Sequence, residues 1–219
     1  MIATLGGIAM LSGLLVVSIF QFTKPYIEEN QRIATQKAVF KVVPGAVVHK
    51  EFIVTNDGIH AVDTGNKGIR VFAGYDKNGK LLGVAVRAGA QGYADMIHIL
   101  YGYDPACECI RGIKVLKTAE TPGLGDKIIT DENFQRNFDA LDARLNAEGM
   151  GLENDIVTVK HGTKKHKWQI DAISGATISS RAIGKALNTS ARELLPLLQR
   201  HLLSLQQGFE TSSGKGNGE

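Results

Sequence analysis

The run Asp171-Ala172-Ile173-Ser174-Gly175-Ala176-Thr177-Ile178-Ser179-Ser180 sets a threonine hydroxyl among small neighbours, just ahead of a long stretch of helical periodicity. The chemistry such an arrangement offers is phosphate chemistry. Small side chains leave the Thr177 hydroxyl accessible, and the unpaired N–H groups and positive dipole end of a helix start favour an anion close by. The same residues also suit a plainer role, because Ser179 or Ser180 is a good N-cap for the helix that follows. On the residues alone both readings stay open. Elsewhere the chemistry-bearing residues are scattered. The 6 histidines form no H-E-x-x-H or similar metal motif, and a lone histidine such as His98 on an apolar strand is expected to be a satisfied core residue. Cys107 and Cys109 lack the spacing of zinc or haem sites. A disulfide across so short a separation is an open alternative but a strained one, and the expected reading is two reduced thiols or a local quirk. Neither a catalytic residue nor a metal-ligand set is expected.

Several elements must position that loop. After it, Ile183, Leu187, Leu194, Leu195, Leu198 and Leu202 recur at three to four residues, which predicts a helix from Ser179 to about Gln206, with Pro196 as a candidate kink. Before it, Ile156–Val159 and Trp168–Ile170 read as a hairpin around the basic turn HGTKKHK, taken as a solvated loop, and Trp168 is expected to pack on the core. Further upstream, Ile69–Tyr75 and Lys80–Arg87 flank Asp76-Lys77-Asn78-Gly79, an Asn-Gly hairpin signal. Met96–Tyr101 and Ile110–Lys117 read as further strands. Thr130 or Asp131 can cap a short helix carrying Phe134, Phe138 and Leu141. Strands followed by a long helix, without regular βαβ alternation, predict an α+β fold.

The chain opens with no charged residue from Met1 through Thr23. About 20 such residues span roughly 30 Å as a helix, so residues 1–23 are expected to cross a lipid bilayer once. A cleaved signal peptide would want a basic start and an A-x-A-like site, which are not evident. Residues 24–45 read as a stalk or first helix stopped by Pro44-Gly45, residues 46–207 as the domain and residues 208–219 as a loose Ser/Gly-rich tail. Lys24, Arg32 and Lys37 follow the span, mixed with Glu28 and Glu29, so charge leaves the sidedness open. Hydrophobic content of 43% fits a folded domain, and a net charge of +3 without a basic face predicts no nucleic acid partner.

The pattern D-x-x-S-G-A-T-x-S-S resembles the flavinylation motif of the FMN-binding domain family, with no departure at its defining positions. That family includes the G subunit of Rnf ion-translocating electron-transport complexes and the C subunit of sodium-pumping NADH:quinone oxidoreductases. Its motif threonine is joined to the FMN phosphate by a phosphoester bond made by a flavin transferase. The resemblance therefore implies covalent FMN on Thr177, with Ser174, Gly175 and Ala176 beside it. Glu120-Thr121-Pro122-Gly123-Leu124-Gly125 looks like the family's E-T-P-G-L-G segment, which implies that Glu120, Thr121, Gly123 and Leu124 lie against the flavin. Gly92-Tyr93 resembles the strand leading to that loop, and Ala94 departs from the usual glycine there. Length, the immediate anchor and the lack of insertions bring the chain nearer to the Rnf members than to those of the quinone oxidoreductases. The resemblance implies an electron-relay subunit of a translocating oxidoreductase between ferredoxin and NAD, with little activity alone. Other membrane subunits are then its partners. It also implies a bacterial inner-membrane location with the domain on the periplasmic side. The competing class is a membrane-tethered binding module whose S-G-A-T loop merely caps a helix.

Overall fold

The computed structural model describes residues 2–62 and 67–207, so the expected tail from residue 208 lies outside the described residues. Helix α1 runs from Ile2 to Val42 with Pro25 inside it. Its apolar window has a mean hydropathy of 2.2 and is 0% buried. A helix apolar on all sides and not covered by protein suits a membrane span and not a soluble core. The chain divides into two compact units, Met1–Lys37 and a second from Ala38 onward. The last turn of α1 thus belongs to the globular unit, which begins ahead of the boundary expected at residue 46.

The globular unit is built on an antiparallel sheet in the order β2-β1-β3-β4-β5-β6-β7. Its strands are β1 (Val48–Val54), β2 (Ile59–Ala61), β3 (Ile69–Tyr75), β4 (Leu81–Gln91), β5 (Met96–Asp104), β6 (Cys109–Lys117) and β7 (Leu141–Asp142). The β3–β4 hairpin forms around the Asn-Gly turn, where Asp76 Oδ1 accepts the N–H groups of Asn78 (2.8 Å) and Lys80 (2.9 Å). The central strands are apolar on both faces because both faces are covered. On one face Val71, Ala73, Tyr75, Val84, Val86, Ile99 and Tyr101 join the core that includes Ile183, Leu187, Leu194 and Leu195 of α4 (Thr177–Arg200). On the other, Phe72, Ala85 and Leu100 pack with Ala38, Val39, Val42 and Val43. Tyrosines anchor the first layer: the Tyr101 hydroxyl lies 2.9 Å from Ser190 Oγ, and the Tyr75 hydroxyl donates to the Leu205 carbonyl at 2.7 Å. Burial pushes the Tyr75 hydroxyl up to about 12 and also raises those of Tyr101 and Tyr103.

Several expectations are corrected. The segments around HGTKKHK form β8 (Val157–Val159) and β9 (Gln169–Asp171), which pair parallel and not as a hairpin. The connection turns twice, through Thr163 N–H to Lys160 O (3.0 Å) and Gln169 N–H to His166 O (3.1 Å), so the chain re-enters in its original direction. Asn137 holds β9 by exchanging hydrogen bonds with the Asp171 backbone, and its Oδ1 accepts the Lys164 ammonium at 2.9 Å. Partial burial lowers the Lys164 pKa. Trp168 is half-buried in this connection and stacks on His166 at 4.4 Å, so its partner is a loop ring rather than the core. His98 is exposed on β5 because its place in the alternation faces outward near the strand start. Asp131 does cap a helix, α3 (Glu132–Gln135), after the short α2 (Lys127–Thr130). That helix ends in a 3-10 turn at Phe138, and Leu141 belongs to β7, because the sheet edge claims it. Pro196 is accommodated within α4; the break falls at His201, before α5 (Leu202–Gln207).

Cys107 and Cys109 are joined as a disulfide, against the expectation of free thiols. Glu108 between them has φ of 50°, which closes the β5–β6 turn so that the flanking Cα atoms stand 5.2 Å apart, within the range a disulfide needs.

Candidate functional site

The two loops singled out by their residue types meet in one cleft of about 420 Å³. The turn between β4 and β5 contributes Tyr93. The loop after β6 contributes Glu120, Thr121, Leu124 and Gly125, and the start of α4 contributes Gly175, Ala176, Thr177, Ile178 and Ser179. Of the residues expected around a ligand, Ser174 faces a neighbouring cleft with Lys127, His161 and Asp171, and Gly123 lines neither. Gly125, Ile178, Ser179 and Tyr93 join the site beyond those expected. Gly125, Ile178 and Ser179 sit inside the two motifs themselves, so motif membership was the available signal for them.

Thr177 is the first residue of α4, half-buried at the mouth of the cleft. It is delivered there by Gly175, whose φ of 82° turns the chain out of the β9 exit and into the helix. Neither serine caps that helix. Its N-cap position is Ala176, which makes no side-chain capping bond. Ser180 Oγ instead donates to the Ala176 carbonyl (2.9 Å) and accepts the Ile173 N–H (3.1 Å), bracing the loop from below. Ser179 Oγ donates to the buried Glu120 carboxylate. Ser180 N–H closes the first helical bond onto Ala176 O at 2.9 Å. Among the described residues no acceptor takes the N–H groups of Thr177, Ile178 and Ser179, the donors a helix start leaves over. The capping alternative therefore loses its structural basis, and the first turn keeps its capacity for an anion.

The walls suit a flat, largely apolar group. Tyr93 (69% exposed), Leu124 (53%) and Ile178 (52%) present apolar surface to solvent around the mouth. Small residues Gly125, Gly175 and Ala176 leave backbone open along the lining. Glu120 is 6% exposed. Its Oε1 accepts the N–H groups of Tyr93 (2.9 Å) and Ala94 (3.0 Å), and its Oε2 takes the Ser179 hydroxyl.

Residues 92–192 match the family described as the FMN-binding domain. The chain is 32% identical to the G subunit of the ion-translocating oxidoreductase complex of Methanosarcina acetivorans, over 74% of this chain and 71% of that one. It is also 32% identical to the G subunit of the Na(+)-translocating ferredoxin:NAD(+) oxidoreductase complex of Acetobacterium woodii, over 74% and 70% of the two chains. With the corresponding G subunit of Haemophilus influenzae the identity is 28% over 93% and 91%. Among solved structures, NqrC of Shewanella oneidensis superposes with a TM-score of 0.60 at 19% identity, covering 84% of this chain and 99% of that one. The C subunit of the Na(+)-translocating NADH-quinone reductase of Parabacteroides distasonis gives 0.54 at 21% identity, over 68% and 77%. Those two likenesses speak for the fold.

The cleft fits a flavin mononucleotide in kind. Its volume falls within the range of small-molecule sites, roughly 300–1,000 Å³. Its apolar rim matches a flat ring system, and the open first-turn N–H groups match a phosphate.

Proposed function

The chain belongs to the family of G subunits of ion-translocating oxidoreductase complexes, and from that membership we propose that it is the membrane-anchored flavoprotein subunit whose FMN is esterified to Thr177. The observation that carries the proposal is the convergence of two sequence-distant loops on one cleft. A hydroxyl stands at its mouth, beside a helix start without a side-chain cap.

In this reading Thr177 Oγ is the nucleophile of a single maturation step. Its bond to phosphorus forms as the phosphoanhydride of an activated flavin dinucleotide breaks. A nucleoside monophosphate leaves with the bond's electron pair, and the hydroxyl proton passes to a base of the transferase. The first-turn N–H groups of α4 would hold the remaining phosphate charge. Once held, the flavin supplies one- and two-electron chemistry, while the protein sets its place and its access to solvent. Tyr93, Leu124 and Ile178 would supply the apolar lining for a bound flavin, and a phosphoester at Thr177 would keep it from dissociating. The isolated chain has little activity. It relays electrons between neighbouring subunits of a complex that couples ferredoxin and NAD to ion movement, as the name of the Acetobacterium relative describes for its complex. Residues 1–23 anchor it in the lipid bilayer. The Cys107–Cys109 disulfide supports placing the domain on the oxidising, outer side of the membrane.

The test is co-expression with a flavin transferase, followed by a denaturing gel read under ultraviolet light. Wild type fluoresces after denaturation, Thr177→Ala is dark and Thr177→Ser retains signal. A dark wild-type band beside an active transferase control refutes the attachment.

A further inference from the structure

Among the described residues Glu120 is the one buried residue with a charged side chain, at 6% exposure, and it lines the cleft. Both oxygens are taken by the protein's own donors: Tyr93 N–H and Ala94 N–H on Oε1, the Ser179 hydroxyl on Oε2. Those donors come from two of the three segments that wall the cleft, and Glu120 itself belongs to the third. Two glycines make the arrangement possible. A Cβ at Gly92 would stand 2.5 Å from Oε1, and one at Gly125 would stand 2.5 Å from Oε2 and 2.9 Å from Ser179 Oγ. Any side chain at either position would push the carboxylate off its donors.

We propose that Glu120 is a positioning residue: one carboxylate locks the Tyr93–Ala94 turn and the first turn of α4 onto the Glu120–Gly125 loop, and so holds the Thr177 hydroxyl and the neighbouring N–H groups in register for flavin attachment. The inference rests on the reading of Thr177 as the attachment residue. It gives Glu120 a role other than flavin ligand, since both carboxylate oxygens already accept hydrogen bonds from the protein. Ser179 is the arm that matters most for chemistry. It lies two residues beyond Thr177 in the same helical turn, so fixing its side chain fixes the rotation of that turn about the helix axis. Hydrogen bonds to an ionised acceptor are stronger than neutral ones, which suits a carboxylate to holding loops that have little apolar packing of their own. Misplacing a reacting atom by about 1 Å costs on the order of a hundredfold in rate, so a loosened clamp is read out in attachment before it is read out in folding.

The experiment uses the full-length chain in detergent, with a flavin transferase and flavin dinucleotide. It follows the initial rate of covalent fluorescence and, separately, hydrogen exchange at the Tyr93 and Ala94 amides in the flavin-free protein. Glu120→Ala is expected to slow attachment by about tenfold to a hundredfold and to abolish protection at both amides. Glu120→Gln keeps an oxygen for the two amides and an N–H for Ser179 Oγ, and should restore the rate to within about threefold with protection intact. Ser179→Ala cuts one arm alone. It should slow attachment by about tenfold while both amides stay protected, and it keeps the test alive should Glu120→Ala fail to fold. Wild-type rates in Ser179→Ala, or in a folded Glu120→Ala, overturn the proposal. So does a Glu120→Gln variant as slow as Glu120→Ala with its amides protected, because charge and not the clamp would then be at work. If wild type itself takes no flavin, the Thr177 reading fails, and unprotected Tyr93 and Ala94 amides in wild type would overturn the clamp independently.

Discussion

Gly175→Ala isolates the contribution of backbone geometry to the loop that carries Thr177. Gly175 has φ of 82°, and a Cβ built there meets no atom within 4 Å, so the substitution introduces strain without a clash. The left-handed conformation costs a residue with a side chain about 1–2 kcal/mol. Alanine recovers about 0.4–1 kcal/mol by stiffening the unfolded chain. The net loss is about 1 kcal/mol, which lowers the melting temperature by roughly 2–4 °C in a chain of this size. Gly175→Asn is the control, because asparagine tolerates that conformation better than alanine; it should lose about half as much. Thermal unfolding of the flavin-free chain, followed by Trp168 fluorescence, measures both variants. Covalent flavin yield with the transferase is scored beside it, and the expected order is wild type, then Asn, then Ala. An Ala variant as stable as wild type refutes the strain argument. If, in addition, Asn and Ala lose attachment equally, glycine is required there for close approach of the flavin.

Three further perturbations test the frame around the site. Gly102→Ala would drive a Cβ into the Val42 carbonyl where the end of α1 lies on the sheet; overpacking of this kind costs about 1–3 kcal/mol, visible as a lowered urea midpoint. Reducing Cys107–Cys109 should cost about 1.5 kcal/mol, because so short a loop restrains little of the unfolded chain. It should leave flavin attachment unchanged, since the β5–β6 turn is at the far end of strands roughly 26 Å long; a lost attachment after reduction would show coupling across the sheet. Tyr75, pushed by burial up to about 12, predicts an alkaline limb of instability. The unfolded hydroxyl titrates near 10, so between about pH 10 and 12 the folded state keeps a proton the unfolded state has lost. The Tyr75 contribution is full below about pH 10 and disappears as pH rises through 12; urea midpoints on either side of that window should fall less in Tyr75→Phe than in wild type.

Much of the molecule is local and therefore readable along the chain. The span of α1 follows from an uncharged run, the β3–β4 hairpin from an Asn-Gly turn between apolar strands, and α4 from leucines at three-to-four spacing. The S-G-A-T and E-T-P-G-L-G runs were visible as motifs, and resemblance joined them to one ligand. What lay beyond the linear pattern depended on who packs against whom. Period-two patterning marks strands without their partners, so β8 and β9 read as a hairpin although their connection turns twice and pairs them parallel. Ser179 and Ser180 have the chemistry of caps, yet Glu120 and the Ser174–Ala176 turn claim their hydroxyls. Cys107 and Cys109 become neighbours because Glu108 closes a turn that both flanking strands hold in place. Residue types and short spacings settle which groups are available. Whether Thr177, Glu120 and the Tyr93–Ala94 turn share a cleft rests on antiparallel pairing and helix packing, since those contacts join residues dozens of positions apart.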